Sequence, residues 1–187
     1  VDYLYLPSFK EIYPKGPSKK IEITSFGKKL CGKFRPGHFE SVVDVVNRFI
    51  KIIKPNKIYF GEKDMQQLKI MEHFIKKNYK DIKVVGCKTI REKSGLALSS
   101  RNTLLSPQEK IIASKIYKIL KETKNSLAIR EVNLNYIKKK IKILGANKID
   151  YLKILDINKL IRPYIKKRKY RIFISYYLRQ TRLIDNI

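Results

Sequence analysis

Cysteine, histidine, glycine, proline and acidic side chains are all scarce in this chain, and each scarcity excludes something. Two thiols, Cys31 and Cys87, give neither the density of a disulfide framework nor a Cys-x-x-Cys metal spacing. The two histidines, His38 and His73, do not complete a zinc site with them. Only 8 Gly and 7 Pro stand against 43% hydrophobic residues, which excludes a disordered chain. At 187 residues the chain can bury a core, as one ordinary domain or a partial domain with a small second one. No apolar run approaches the length that spans a bilayer, and no signal peptide is evident. A soluble, cytoplasmic protein without membrane contact is expected, any targeting segment being confined to residues upstream of Val1.

The shortage of acid is the most pronounced. Asp and Glu number 16 against 43 Lys and Arg, a net charge of +27. Such a charge invites a nucleic-acid partner. Its composition argues against one: only 10 of the basic residues are Arg, whereas phosphate and base recognition favours Arg's planar fork. The 33 Lys are scattered among abundant Ile, Asn and Tyr, the mix that AT-rich codons encode. The densest run, Lys166-Lys167-Arg168-Lys169, reads as a solvated turn.

What is present has the rhythm of an α/β protein. Val1–Leu6 reads as a strand leading into a loop with Pro7, Pro14, Gly16 and Pro17, and Ile21–Thr24 as a second short strand. The chain thus begins in mid-architecture. From Phe39 to Ile53, Val42, Val46, Phe49, Ile50 and Ile53 fall on one helical face, stopped at Pro55-Asn56. A short apolar run, Lys57–Phe60, ends at Gly61-Glu62-Lys63-Asp64. A helix with Leu68, Met71, Phe74 and Ile75 on one face follows, then a strand over Ile82–Ile90. Strand, helix, strand at these lengths is a βαβ unit with a parallel sheet. Ser106-Pro107-Gln108-Glu109 starts the next helix with a capping box, continued by Ile112, Ile116, Ile119 and Leu120. Another helix carries Leu134, Ile137, Ile141 and Leu144, with Gly145 as its stop. Ile149–Leu155 and Arg171–Leu178 are the remaining strand candidates. A domain boundary is expected near Thr103–Leu105.

Two segments carry chemistry. Gly61-Glu62-Lys63-Asp64 lies at the carboxyl end of a strand and before a helix, the place where open α/β sheets bind ligands. Gly61 allows close backbone approach, Lys63 can neutralise a phosphate, and Asp64 can hold a metal or a donor; the helix N-terminus adds partial positive charge. The second segment, Ser94-Gly95-Leu96-Ala97-Leu98-Ser99-Ser100-Arg101-Asn102, joins paired hydroxyls to an Arg, a combination suited to phosphate oxygens. Each segment alone is read more simply, as a polar turn and as a loop with incidental serines.

Together they change the reading. The order RPGHF, FGEKDMQQL, SGLALSSRN and RLIDN, preceded by VDYLYLPSFKEIYPKG, resembles the pantothenate synthetase family from Val1 to the last residue. The resemblance implies the C-terminal part of a Rossmann-like nucleotidyl-transferase domain (residues 1–103) and a small α+β C-terminal domain (104–187). LALSSRN is similar to the mobile phosphate-binding motif of class I aminoacyl-tRNA synthetases. By that resemblance Gly61, Glu62, Lys63 and Asp64 line the ATP site, with Ile90 on the adenine side and Leu98, Ser99, Ser100 and Arg101 closing over the triphosphate. Lys63, Ser99, Ser100 and Arg101 form the catalytic set. Gln67 binds pantoate while Gln66 points elsewhere, and Arg35 approaches the reacting phosphates with His38 supporting its loop. His73 is read as packing or surface.

The implied reaction is ligation of (R)-pantoate to β-alanine through a pantoyl adenylate, with release of AMP and pyrophosphate. ATP is a substrate, Mg²⁺ offsets its charge, no motif supplies a protein-held metal, and a homodimer is implied. The family's Met-Gly-x-Leu-His-x-Gly-His stretch has no counterpart here, so these 187 residues by themselves are expected to be inactive. Ser41 stands where the family usually has Gly, Ser94 where it has Asp, and Arg179 where it has Gly. The competing reading is a non-catalytic basic module for RNA or acidic surfaces, or a decayed ligase, favoured by the charge and the absent stretch. Retained Lys63, Gln67 and Ser99-Ser100-Arg101 favour the enzyme.

Overall fold

A computed structural model of the chain describes residues 2–18, 21–127, 131–157 and 170–187. The basic run Lys166–Lys169 lies outside them. Contacts divide the chain into two compact units, Val1–Phe60 with Gln66–Cys87, and Gly61–Met65 with Lys88–Ile187.

The first unit opens without regular structure. Residues 2–7 form no ladder, and Tyr3, Leu4 and Leu6 are exposed. The strand expected at Val1–Leu6 is not formed among the described residues, because none of them pairs with its backbone groups. Ser8 and Glu11 instead close a capping box on a single turn, α1 (Phe9–Ile12). The strand expected at Ile21–Thr24 is also absent; residues 21–24 are irregular and lead into a 3-10 turn, Ser25–Lys28.

Two helices follow, α2 (Cys31–Phe34) and the longer α3 (His38–Ile53). Phe39, Val43, Asp44 and Ile50 form the buried face of α3. Of the predicted stripe only Ile50 is fully buried, and Ile53 is 56% exposed. The doubled valines Val42-Val43 and Val45-Val46 fit either register, and packing selects the one led by Phe39. Buried Asp44 accepts 2.8 Å hydrogen bonds from both the amide and the hydroxyl of Ser18. Arg48 lies 3.1 Å from Asp44, donates to the carbonyls of Ile12 and Gly16, and covers the Tyr13 ring. The Pro-containing loop after α1 is thereby tied to α3.

The expected βαβ unit is formed by β1 (Lys57–Gly61), α4 (Met65–Asn78) and β2 (Lys83–Cys87). β1 and β2 are neighbours in one sheet. The amide at the start of β2, on Lys83, donates to Asn56 just before β1 at 2.9 Å, so the strands begin side by side and run parallel. Leu68, Met71 and Ile75 are buried on α4 as their spacing predicts, with Phe74 half-buried.

In the second unit, α5 (Pro107–Leu127) starts as the sequence specifies. The Ser106 hydroxyl accepts from the Glu109 amide at 3.2 Å, and the Glu109 carboxylate accepts from the Ser106 amide at 2.7 Å. α6 (Leu134–Ile143) is capped by Asn133 and ended by Gly145 at φ 118°, where the Ala146 amide reaches back to Ile141. These helices bury Ile116, Leu120, Ile137 and Ile141 together with Ile172, Ile174 and Leu178 of an antiparallel sheet. Its strands are β3 (Lys148–Asp156), β4 (Tyr170–Leu178) and β5 (Thr181–Asn186), in that order. β5 is an addition to the predicted strands. Its register sets Leu178 opposite Thr181 and Phe173 opposite Asn186, which brings Asp185 and Asn186 to the far end of the hairpin from its turn.

Candidate active site

β1 ends at Gly61, and a 3-10 turn, Glu62–Asp64, leads directly into α4. Backbone carbonyls in such a turn lack ladder partners and must be satisfied elsewhere. The Asn186 carboxamide does this twice, donating to the carbonyl of Glu62 at 2.9 Å and that of Lys63 at 2.8 Å. Its own oxygen accepts from Arg171 at 2.7 Å, and Arg171 also holds the Glu62 carboxylate at 2.6 Å. Among the described residues, the half-buried Lys63 has no partner for its ammonium, and exposed Asp64 has no ion pair. A cation and a carboxylate are therefore displayed on a turn whose backbone is held fixed.

The second predicted segment belongs to the same unit. The Leu98 amide donates to Ile90 at 3.0 Å and the Glu92 amide to Leu96 at 2.9 Å, closing a tight loop. Gly95 turns this loop at φ 93°, its Cα facing the Tyr117 ring. Leu96 and Ala97 point into the core. Leu98 and Ser100 are exposed, Ser99 is half-buried, and Ile90 is 66% exposed. The Ser99 hydroxyl caps the following 3-10 turn, Ser100–Leu104, by accepting from the Arg101 amide. The Arg101 guanidinium donates to the Arg182 carbonyl at 2.7 Å.

Arg91 anchors the base of the loop. It grips both oxygens of Asp185, donates to the Gly95 carbonyl at 3.0 Å, and stacks 4.3 Å above Tyr117. Burial alone would lower the pKa of Arg91; the Asp185 carboxylate outweighs burial and raises it, so the guanidinium stays charged. β5 thus holds both predicted segments, through the Arg182 carbonyl, Asp185 and Asn186.

Arg35 and Gln67 belong to the first unit. Arg35 Nη1 lies 2.9 Å from His38 Nε2, the support expected for that loop. Gln67 is half-buried. Buried Gln66 is turned elsewhere, as expected, accepting from the Cys31 amide and donating to the carbonyls of Phe26 and Lys29. Among the described residues no group of three or more His, Cys, Asp or Glu is placed to hold a metal, and no helix is long and apolar enough to cross a membrane. Sequence reasoning assigned no role to Arg91, Arg171, Asp185 or Asn186. The signal for the last two was an acid and an amide at the end of an apolar stretch.

The family model described as pantoate-beta-alanine ligase matches residues 1–187. The chain is 41% identical to the pantothenate synthetase of Sulfurihydrogenibium sp. (strain YO3AOP1), covering 100% of this chain and 69% of that protein. It is 37% identical to the pantothenate synthetase of Caldicellulosiruptor saccharolyticus, covering 68% of that relative. Among solved structures it superposes on pantothenate synthetase from Thermus thermophilus with a TM-score of 0.90 at 31% identity, over 100% of this chain and 69% of that one. It also resembles the pantoate-beta-alanine ligase from Francisella tularensis complexed with beta-gamma ATP and beta-alanine. That match has a TM-score of 0.76 at 37% identity and covers 95% of this chain and 61% of that one. The chain therefore spans between 61% and 69% of the length of these proteins.

Proposed function

Because the chain belongs to the pantoate-beta-alanine ligase family, we propose that in the full chain it serves the ATP-dependent joining of (R)-pantoate to β-alanine. In the first step a pantoate carboxylate oxygen attacks the α-phosphorus of ATP, and pyrophosphate leaves. In the second, the β-alanine amine attacks the acyl carbon of the pantoyl adenylate, AMP leaves, and the amine gives up a proton. Lys63 holds phosphate charge as it shifts toward the leaving pyrophosphate, and fixed cations of this kind act without reorganising during the reaction. Leu98, Ser99, Ser100 and Arg101 close over the triphosphate, with Gly61, Glu62 and Ile90 completing the nucleotide side. Gln67 orients pantoate and Arg35 attends the phosphates.

Mg²⁺ arrives with ATP as its counter-ion. Such ions are commonly held by one or two carboxylates plus substrate phosphates, and exposed Asp64, which has no ion pair among the described residues, fits that part. By the family resemblance residues 1–103 are the end of the nucleotide-binding domain and 104–187 the small C-terminal domain, whereas by contacts Gly61–Met65 and residues 88–103 group with the latter. A cytoplasmic homodimer completes the reading.

One observation supports the chemistry most directly: a Lys63 ammonium without a partner among the described residues, on a turn clamped by Asn186, in the same unit as Ser99–Arg101. The test is pantoate-dependent release of pyrophosphate from ATP by the full chain, followed on adding β-alanine by one AMP per pantothenate. Pyrophosphate release indifferent to pantoate would refute it.

A further inference from the structure

We infer that Asn186 is a positioning residue for the adenylation step, acting through the turn that presents Lys63 rather than through contact with substrate. The inference rests on the function proposed above.

Every polar group of Asn186 is committed. It is 2% exposed, so none of those commitments can be exchanged for water. Both amide hydrogens go to the carbonyls of Glu62 and Lys63. The side-chain oxygen accepts from Arg171, whose other nitrogen holds Glu62. Its backbone amide donates to Asp185 at 2.7 Å, and its backbone carbonyl accepts from Arg91 at 3.3 Å. Arg91 in turn holds the Gly95 carbonyl at the bend of the loop that leads to Leu98–Arg101.

One residue thus sets the backbone of the Lys63 turn with its side chain and the base of the serine-arginine loop with its main chain. Only a primary carboxamide offers two N–H donors on one nitrogen, here one for each of two adjacent carbonyls, together with an acceptor for a guanidinium. An aspartate of the same shape would set oxygen against both carbonyls. The expected fault is misplacement of Lys63 relative to the phosphates, and displacements of this size reach the rate through geometry.

Asn186→Asp and Asn186→Ala in the full chain test this, with Ile141→Ala as a control. Ile141 is fully buried in α6, and its loss destabilises the same unit without touching the turn. The Asn186 variants should lose about tenfold or more in kcat/KM for ATP in pantoate-dependent pyrophosphate release, with the KM for β-alanine unchanged. The Ile141 variant should melt at a lower temperature yet keep its ATP parameters. An active parent with unaltered ATP kinetics in the Asn186 variants overturns the inference alone. An equal loss of ATP kcat/KM in Ile141→Ala also overturns it, by reducing Asn186 to ordinary stability. A parent without pantoate-dependent release overturns the functional reading and this inference together.

Discussion

Arg91 and Asp185, 94 residues apart in sequence, meet through hydrogen bonds of 2.7 and 2.8 Å, one to each carboxylate oxygen. The side chains are 17% and 11% exposed, so water competes weakly for either partner. The arrangement is a fork on a fork, which fixes direction as well as distance. Replacing one partner strands the other in a half-dry site, which costs about 3 kcal/mol. Arg91→Met and Asp185→Asn should each lower the unfolding free energy from urea titration by that order, and the double variant should recover part of the loss. Strict additivity in the cycle would show that the two residues do not act as a pair.

Gly95 answers to both backbone and space. Its φ of 93° lies where a side chain is strained, and a Cβ would meet Tyr117 Cδ1 at 2.2 Å. The Tyr117 ring cannot easily withdraw, because Arg91 stacks on its face. Gly95→Ala should therefore destabilise by about 2 kcal/mol or more. It should also increase proteolytic cleavage between Arg91 and Arg101. A variant as stable and as resistant as the parent would contradict the geometry.

Much of this was legible in the residues. The strand–helix–strand run, the Ser106–Glu109 box and the Gly145 stop depend on local chemistry, which a sequence displays directly. The strands expected at Val1–Leu6 and Ile21–Thr24 had the composition of strands, but pairing is a non-local property that composition does not carry. β5 was hidden for the opposite reason. Arg182, Asp185 and Asn186 interrupt its apolar pattern, and their partners lie as far off as Arg101, Arg91 and Glu62. The Lys63 turn could be recognised by its place after a strand, whereas the clamp beneath it could be found only in three dimensions.

Arg179 stands where the family resemblance implies a glycine, and its φ is 47°. It opens the two-residue connection between Leu178 and Thr181, a place where glycine takes positive φ without steric cost. Its amide donates to Asn147 at 2.6 Å, a bond that glycine retains. Its guanidinium approaches Glu109 at 3.6 Å from a side chain that is 82% exposed, and such pairs contribute little. Arg179→Gly should stabilise by about 1 kcal/mol. Arg179→Ala should not, since it keeps the Cβ. Melting temperatures of the three proteins decide the point.

Asp44 gives the first unit an acid-sensitive link. Burial pushes its carboxyl up, but the Ser18 amide and hydroxyl and the Arg48 guanidinium outweigh burial and hold it below the ordinary value of 3.8. A depressed folded pKa means the contribution is complete above the ordinary carboxylate range and is lost as pH falls through the lower, folded value. Asp44→Asn removes the charge and should cost about 1–3 kcal/mol at neutral pH. It should also flatten the acid limb of the stability curve below about pH 4. Parallel curves for parent and variant in that range would show that Asp44 does not govern the limb.

Lys63 is where fold and proposed chemistry separate most cleanly. Its carbonyl is held by Asn186, so the backbone of the turn does not depend on what the side chain carries. Its ammonium has no partner among the described residues, so truncation breaks no hydrogen bond or ion pair with them. Lys63→Ala should leave the melting temperature nearly unchanged while costing on the order of 2–4 kcal/mol in the transition state for adenylate formation. Lys63→Arg restores charge but not the compact ammonium, and recovery should be partial. The comparison needs the full chain, with pantoate-dependent pyrophosphate release measured beside thermal unfolding. A large loss of stability in Lys63→Ala would mean that the side chain supports the turn. Unchanged pyrophosphate release at unchanged stability would remove Lys63 from the phosphate-binding set.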